Sequence, residues 1–428
     1  MIENVEKRWA IHHKIISEDT KYKVITMYAV IILLTGFFFN NPLEILKGMG
    51  TVLTSSSILL TDYMEIANIG TAFFNSGLMM LGSIFLARKT RAHMNGYLIA
   101  AVSIVGGFAM FGKNPYNVVS IVLGVYLYSR IQKERFGKFI LIALFGTALG
   151  PLVSQITFGF GLPLWAGVLV GNIAGILTGI ILPPLATSFV KFHQGFNLYN
   201  VGFTAGIIGT VFMAVFRSFG LETPTVYQVS QGNNLALASI LGVYFGSFIV
   251  TGYLMNEHSF KHLRELMRQP GRLVSDFVTT EGFGVSLVNM GLLGFAGMGY
   301  VFLVKGELSG PTIGGIFTMI GFGAFGKHLR NALPVMLGVF LATQLKLWDV
   351  NSTGAILAAL FGTTLAPISG QFGWKAGVLA GFLHMSMVMN VGYLHGGINL
   401  YNNGLSGGIV AATLVPILDA FREEDSFE

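Results

Sequence analysis

The chain has no cysteine, and only 11% of its 428 residues are charged. The first absence excludes a disulfide framework and any cysteine-ligated metal. The second excludes an ordinary soluble surface, which carries about 25% charge. His-Glu-x-x-His and Gly-x-Ser-x-Gly are also missing, so no familiar metal or nucleophile motif points to catalysis. The N-terminal residues are mixed in charge (Glu3, Glu6, Lys7, Arg8, His12, His13) and do not read as a cleavable signal peptide.

What is present is hydrophobic sequence, 53% of the chain. Apolar segments run near 24–41, 65–87, 95–112, 116–132, 138–157, 163–183 and 196–216. A second set lies near 235–255, 283–304, 309–325, 332–346, 354–370, 373–391 and 397–419. Most approach the roughly 20 residues that cross a bilayer, so the fold class is an all-α polytopic membrane protein. The segments define a cytoplasmic stretch 1–22, a first membrane half 23–220, an external linker 221–234, a second half 235–420 and a cytoplasmic tail 421–428.

The net charge of +6 fits the positive-inside rule better than nucleic-acid binding. With the N-terminus inside, basic residues gather on one side. They lie at Lys7 to Lys23, Arg88 to Arg91, Arg130 to Lys138, Lys191, Lys261 to Arg272, Lys327, Arg330, Lys375 and Arg422. The other side keeps only Lys47, Lys113, Arg217, Lys305 and Lys346. Both ends are then cytoplasmic, and the setting is a bacterial cytoplasmic (inner) membrane. Trp165, Trp348 and Trp374 fall near span ends, as an aromatic belt requires; Trp9 does not.

The two halves repeat. At a spacing of 214 residues, Asp62 meets Asp276 and Asn75 meets Asn289. Gly107-Phe108-x-x-Phe111-Gly112-Lys113 meets Gly321-Phe322-x-x-Phe325-Gly326-Lys327. At 216, Ala143 to Thr147 meets Ala359 to Thr363, and Pro151 and Gln155 meet Pro367 and Gln371. At 202, His193-Gln194-Gly195-Phe196-Asn197-Leu198-Tyr199-Asn200 meets His395-Gly396-Gly397-Ile398-Asn399-Leu400-Tyr401-Asn402. An odd number of crossings per half turns the second half over. The basic residues agree: they cluster after the fourth segment of the first half and after the first segment of the second. The expectation is two inverted-topology repeats with 7+7 apolar segments, or 5+5 spans plus re-entrant hairpins at 95–132 and 309–346.

The Asn-Leu-Tyr-Asn elements predict helix starts inside the membrane, where asparagine is a good N-cap. Irregular backbone at depth is tolerated only when buried in protein or lining water. Asn197, Asn200, Asn399 and Asn402, with Tyr199 and Tyr401, are therefore the first candidates for a solute path. A surface loop before an ordinary cap is the plainer alternative. His193 and His395 suit proton relay or solute contact, or an interfacial position. Asn75 and Asn289 suit either pore lining or interhelical bonding. Asp62 and Asp276 precede the second span of each half and read as caps or as functional ionisable groups. Lys113 and Lys327 read as helix ends, or as a symmetric pair of positive sites near the two mouths. Their Gly-x4-Gly-Lys setting lacks the Ser or Thr and the strand of a phosphate loop. Segments 44–51 and 257–269 read as amphipathic and surface-lying.

The paired Asn-Leu-Tyr-Asn and Phe-Gly-Lys elements resemble a family of bacterial multi-pass membrane proteins known as a domain of unknown function. That resemblance spans nearly the whole chain and implies no activity. Tyr199-Asn200, Tyr401-Asn402 and Asn41-Pro42 are also similar to segments of urea transporters. The Leu-Pro…Pro-Phe element of that family is not found in both halves; only Leu182-Pro183-Pro184 occurs. The resemblance implies a pathway for a small polar solute.

The sequence thus reads as a channel or transporter for a small polar solute or ion, in a lipid bilayer, with no cofactor, no metal and no enzyme activity. The rival is an intramembrane enzyme acting on a lipid or isoprenoid through His193, His395, Asp62 or Asp276. Homo-oligomers suit such folds, and no motif demonstrates one.

Overall fold

The computed structural model describes residues 16–273, 275–345 and 347–424. Trp9, the other residues before 16, and Lys346 lie outside them. The apolar segments become helices, because a chain in hydrocarbon must satisfy its backbone hydrogen bonds within each segment. The first half contains α1 (Glu18–Phe39), α2 (Pro42–Thr54), α3 (Tyr63–Ile66), α4 (Ile69–Lys89), α5 (Gly96–Phe108) and α6 (Pro115–Ile131). A broken span, Phe136–Gly159, contains α7 (Ile140–Gly146) and α8 (Gly150–Ser154). Then come α9 (Leu164–Phe189) and α10 (Asn200–Ser218).

The second half repeats the order: α11 (Asn234–Met255), α12 (Leu263–Leu266), α13 (Phe277–Thr280), α14 (Phe283–Leu303), α15 (Gly310–Phe322) and α16 (Leu329–Thr343). Its broken span, Thr353–Phe372, contains α17 (Thr353–Gly362) and α18 (Ala366–Phe372), followed by α19 (Trp374–His395) and α20 (Asn402–Glu424).

Ten of these spans are long and apolar enough to cross a bilayer. Large apolar side chains in mid-helix face outward, among them Phe85 (67% exposed) and Val243 (75%). Such a girdle is untenable in water and natural in lipid. The chain is a multi-pass membrane protein.

The other two segments of each half are shorter. Helices α5 and α15 have 13 residues each, about 20 Å at 1.5 Å per residue, against about 30 Å of hydrocarbon. Each joins its successor, α6 or α16, through a tight turn at 109–114 or 323–328. The turn ends in an N-cap: Asn114 accepts the amide of Asn117, and His328 accepts that of Asn331.

Within each half, α1 packs on α4 as α11 packs on α14, and α6 packs on α9 as α16 packs on α19. Between the halves, equivalent helices meet: α5 with α15, and α10 with α20. Helices α5 and α15 run antiparallel. Gly96 faces Ala324 at one end of the pair, and Gly107 faces Gly314 near the other. Every residue of α15 is buried, so this pair is the centre of the molecule.

Two expectations change. Segment 257–269 is not a long amphipathic helix. Positive φ at Glu257 (56°), His258 (55°) and His262 (66°) breaks it, leaving one turn, α12, with Leu266 buried. Segments 196–216 and 397–419 begin as extended chain and turn helical only at Asn200 and Asn402.

Candidate functional site

The two broken spans make room for the extended Asn-Leu-Tyr elements. A 3-10 turn at Thr147–Leu149 and another at Thr363–Leu365 interrupt the spans in mid-course. The turns free two carbonyls. Ala148 O accepts the N–H of Leu400, and Thr364 O accepts that of Leu198, each at 3.1 Å. Each half therefore seats the motif of the other half.

Within the motif, Asn197 Oδ1 accepts the Tyr199 amide at 3.1 Å, and Asn399 Oδ1 accepts the Tyr401 amide at 3.0 Å. The amides of Asn200 and Asn402 do not cap helices, as the sequence suggested. Asn200 Nδ2 donates to Ala186 O on α9 at 2.9 Å, and Asn402 Nδ2 donates to Val388 O on α19 at 3.3 Å. Their Oδ1 atoms lie 3.0 and 2.9 Å from Nε2 of His193 and His395. Since an amide oxygen only accepts, Nε2 carries the proton in both bonds. The asparagines thus tie α10 to α9 and α20 to α19, each held in place by its histidine.

The tyrosines meet at the centre, with ring centroids 5.3 Å apart. Around them stand phenylalanines in equivalent pairs. Phe108 lies 4.7 Å from Tyr401, and Phe322 lies 4.8 Å from Tyr199. Phe108 meets Phe361 at 5.6 Å, and Phe322 meets Phe145 at 6.0 Å. Phe111 and Phe325 flank them at 5.4 and 4.7 Å. These rings close the middle of the protein.

A cavity lies at each end of the α5/α15 pair. The larger, about 530 Å³, is lined by Leu59, Phe111, Leu357, Phe361, Leu400 and Asn402, with the 222–227 linker and Arg217 at its side. The smaller, about 140 Å³, is lined by Phe325, Leu141, Phe145, Leu198, Asn200, Leu273 and both central tyrosines. Leu59 pairs with Leu273, Phe111 with Phe325, Leu357 with Leu141, Phe361 with Phe145, Leu400 with Leu198 and Asn402 with Asn200. The cavities are equivalent places of unequal size, separated by the ring cluster.

Lys113 and Lys327 are fully buried at the two hairpin turns. They follow the ends of α5 and α15 inside the protein, so neither residue counts toward the charge asymmetry of the loops. Lys327 Nζ donates to Tyr199 Oη at 2.5 Å and to Thr363 Oγ1 at 2.8 Å. Lys113 Nζ has no hydrogen-bond partner and lies 5.2 Å from the Phe108 ring centroid. Asn75 and Asn289 hold the turns. Asn75 Nδ2 donates to Ala109 O and Lys113 O at 2.7 and 2.8 Å. Asn289 Nδ2 donates to Gly323 O and Lys327 O at 2.8 and 2.7 Å. They act as interhelical ties rather than cavity lining. The Gly-x4-Gly-Lys elements are helix ends and turns, with no strand before them.

The aspartates also tie the halves together. Asp62 accepts the N–H groups of Met64 (2.8 Å), Ser230 (3.0 Å) and Gly310, the first residue of α15 (3.1 Å). Asp276 caps α13 through Thr279 and accepts the N–H of Gly96, the first residue of α5, at 3.0 Å. Burial pushes the Asp62 carboxyl up to about 6, against the downward pull of those three N–H groups. Its charge is harder to hold folded than unfolded, so the stability it contributes is present below pH 4 and is lost as pH rises through 6. The shift of about two units corresponds to about 3 kcal/mol. We expect thermal stability in detergent to fall between pH 4.5 and 7. Asp62→Asn should be less stable throughout but lack most of that slope. An unchanged slope in the variant would refute the assignment.

Phe108, Phe145, Phe322, Phe361 and Thr363 were legible in the sequence only as repeat landmarks. Their repetition was the signal that they share a site. Over residues 41–218 and 255–420 the chain matches a family described as protein of unknown function (DUF1576). Neither the curated proteins nor the solved structures gave a match.

Proposed function

The chain belongs to the DUF1576 family, and on its geometry we propose that it is a membrane transport protein with two inverted repeats, moving a small polar solute or ion. The observation that carries this reading is the pair of equivalent, unequal cavities at opposite ends of α5/α15, parted by one cluster of rings. Antiparallel packing of equivalent helices is the arrangement an inverted repeat requires. Five long spans per half, or seven segments with the hairpins, keep the count odd. A wide cavity facing a narrow twin suits alternating access, in which one opens as the other closes. The basic residues favour both ends in the cytoplasm of a bacterial inner membrane.

Catalysis on a lipid is less well supported. Both aspartates are occupied by helix-start N–H groups, and neither lines either cavity. His193 and His395 are held by Asn200 and Asn402.

The absence of cysteine gives a direct test. Leu357→Cys and Leu141→Cys place one thiol in each cavity. In sealed, oriented vesicles a membrane-impermeant thiol reagent should label Leu357→Cys from one side only and Leu141→Cys from the other. Proteoliposomes of wild type should pass a small solute that empty vesicles do not, read by stopped-flow light scattering. Labelling of both thiols from the same side, or no flux for any of urea, glycerol, formate or monovalent salts, would overturn the reading.

A further inference from the structure

Two lysines buried in a membrane protein are the least expected residues of this chain. Among the described residues neither lies within ion-pair distance of a carboxylate. An ammonium group out of water is costly unless an opposite charge shares its surroundings. Intramembrane charges are accordingly rare and functional as a rule.

The groups recorded nearest these lysines are hydroxyls and aromatic rings. Lys327 is bonded to the hydroxyls of Tyr199 and Thr363, which leaves its third N–H direction and the Tyr199 O–H proton available. The atoms equivalent by the repeat, Lys113 Nζ and Tyr401 Oη, are buried and have no hydrogen-bond partner at all. Asn399 Nδ2, two residues before Tyr401, is likewise unpartnered. The narrow cavity is lined by no acidic residue, and the wide one only by Glu222 on the linker, near Arg217. Helices α10 and α20 begin at Asn200 and Asn402, which line these cavities, so their positive ends are turned toward the same places.

On the transport reading above, we propose that the solute is a small monovalent anion. Lys113 with Tyr401 Oη, and Lys327 with Tyr199 Oη and Thr363 Oγ1, form its two equivalent binding sites. One ammonium per site, with hydroxyls and no guanidinium fork, matches a single negative charge on a small body. A lysine is a point charge and lacks the planar fork with which arginine grips the paired oxygens of larger oxyanions. Both tyrosines line the narrow cavity, whose 140 Å³ admits an occupant of only a few atoms. The Lys327 site is closed by the hydroxyls of Tyr199 and Thr363; the Lys113 and Tyr401 site is the one with open donors.

The test uses the full chain in detergent and in proteoliposomes. Thermal unfolding is followed in sodium chloride, nitrate or formate at constant ionic strength, with gluconate as the filling anion. At least one of the three should raise the midpoint in a saturable way, since a ligand of the native state stabilises it by mass action. Sulfate should not. The Lys113→Met/Lys327→Met variant should lose the shift, and its flux of the same anion should fall at least tenfold. Tyr401→Phe removes one hydroxyl only; if the double variant does not fold, this one should still weaken the shift about tenfold in anion concentration.

The failures are separable. No saturable shift in wild type overturns the anion site. Flux confined to urea or glycerol, equal in the lysine variants, also overturns it and leaves transport standing. A lysine-dependent shift without flux of any solute keeps the site and overturns transport.

Discussion

Gly314→Val will leave little folded protein. A Cβ at this position would lie 2.7 Å from Gly107 O and 2.5 Å from the Phe111 ring. A Cβ on Gly107 would meet Gly314 O at 2.8 Å. The closest obstacles are therefore the facing helix backbone and a buried ring, neither of which can swing aside. The two helices must separate, and α5/α15 is the innermost pair, so every layer around it is disturbed. Overpacking a tight core costs about 1–3 kcal/mol, and more when backbone must move. We expect at least about 4 kcal/mol here, enough to remove the monodisperse peak in fluorescence-detected size exclusion. Gly82→Val is the control, because nothing lies within 4 Å of a Cβ there; it should elute and melt like wild type. A Gly314→Val protein with a normal peak and midpoint would show that the two helices are not packed this closely.

Asn289→Leu should be nearly as damaging, by a different route. One amide group serves two backbone carbonyls, those of Gly323 and Lys327. A leucine leaves both buried without a donor. Each such loss costs about 1–3 kcal/mol, so about 4 kcal/mol in all. Asn75→Leu should do the same to the first turn. Because Lys327 sits in the turn that Asn289 holds, Asn289→Leu and Lys327→Met should not be additive. Independent effects on melting temperature, or a loss below about 1 kcal/mol for Asn289→Leu, would contradict the assigned role.

These tests bear on residues whose importance the sequence conveyed unevenly. The repeat was plain, because landmarks such as Phe108 and Phe322 keep their spacing, and each of the fourteen apolar segments contains a helix among the described residues. The burial of Lys113 and Lys327 was not legible. A lysine after a hydrophobic run reads the same whether it snorkels to the interface or turns inward. Nor did the sequence reveal that His193 and His395 bind Asn200 and Asn402 seven residues on. That contact depends on an extended stretch between them, and the stretch is extended because the neighbouring spans break to receive it. Helix faces were equally hidden. A helix in lipid is apolar on both its outer and its packed side, so no polar face marks which side is which. Segment 257–269 did show an amphipathic pattern and failed to form the helix, because three residues there adopt positive φ.

The crossed capping of Asp62 on Gly310 and Asp276 on Gly96 has a wider meaning. In an isologous dimer, residue i of one subunit touches residue j of the other, and j touches i. The two halves of this single chain obey that rule through their aspartates, through the carbonyls that seat the opposing motif, and through Gly107 and Gly314. Each half alone would leave the innermost helix without its capping carboxylate and its Asn-Leu-Tyr segment without the carbonyl that receives it. The polypeptide packs in this sense like a tethered dimer.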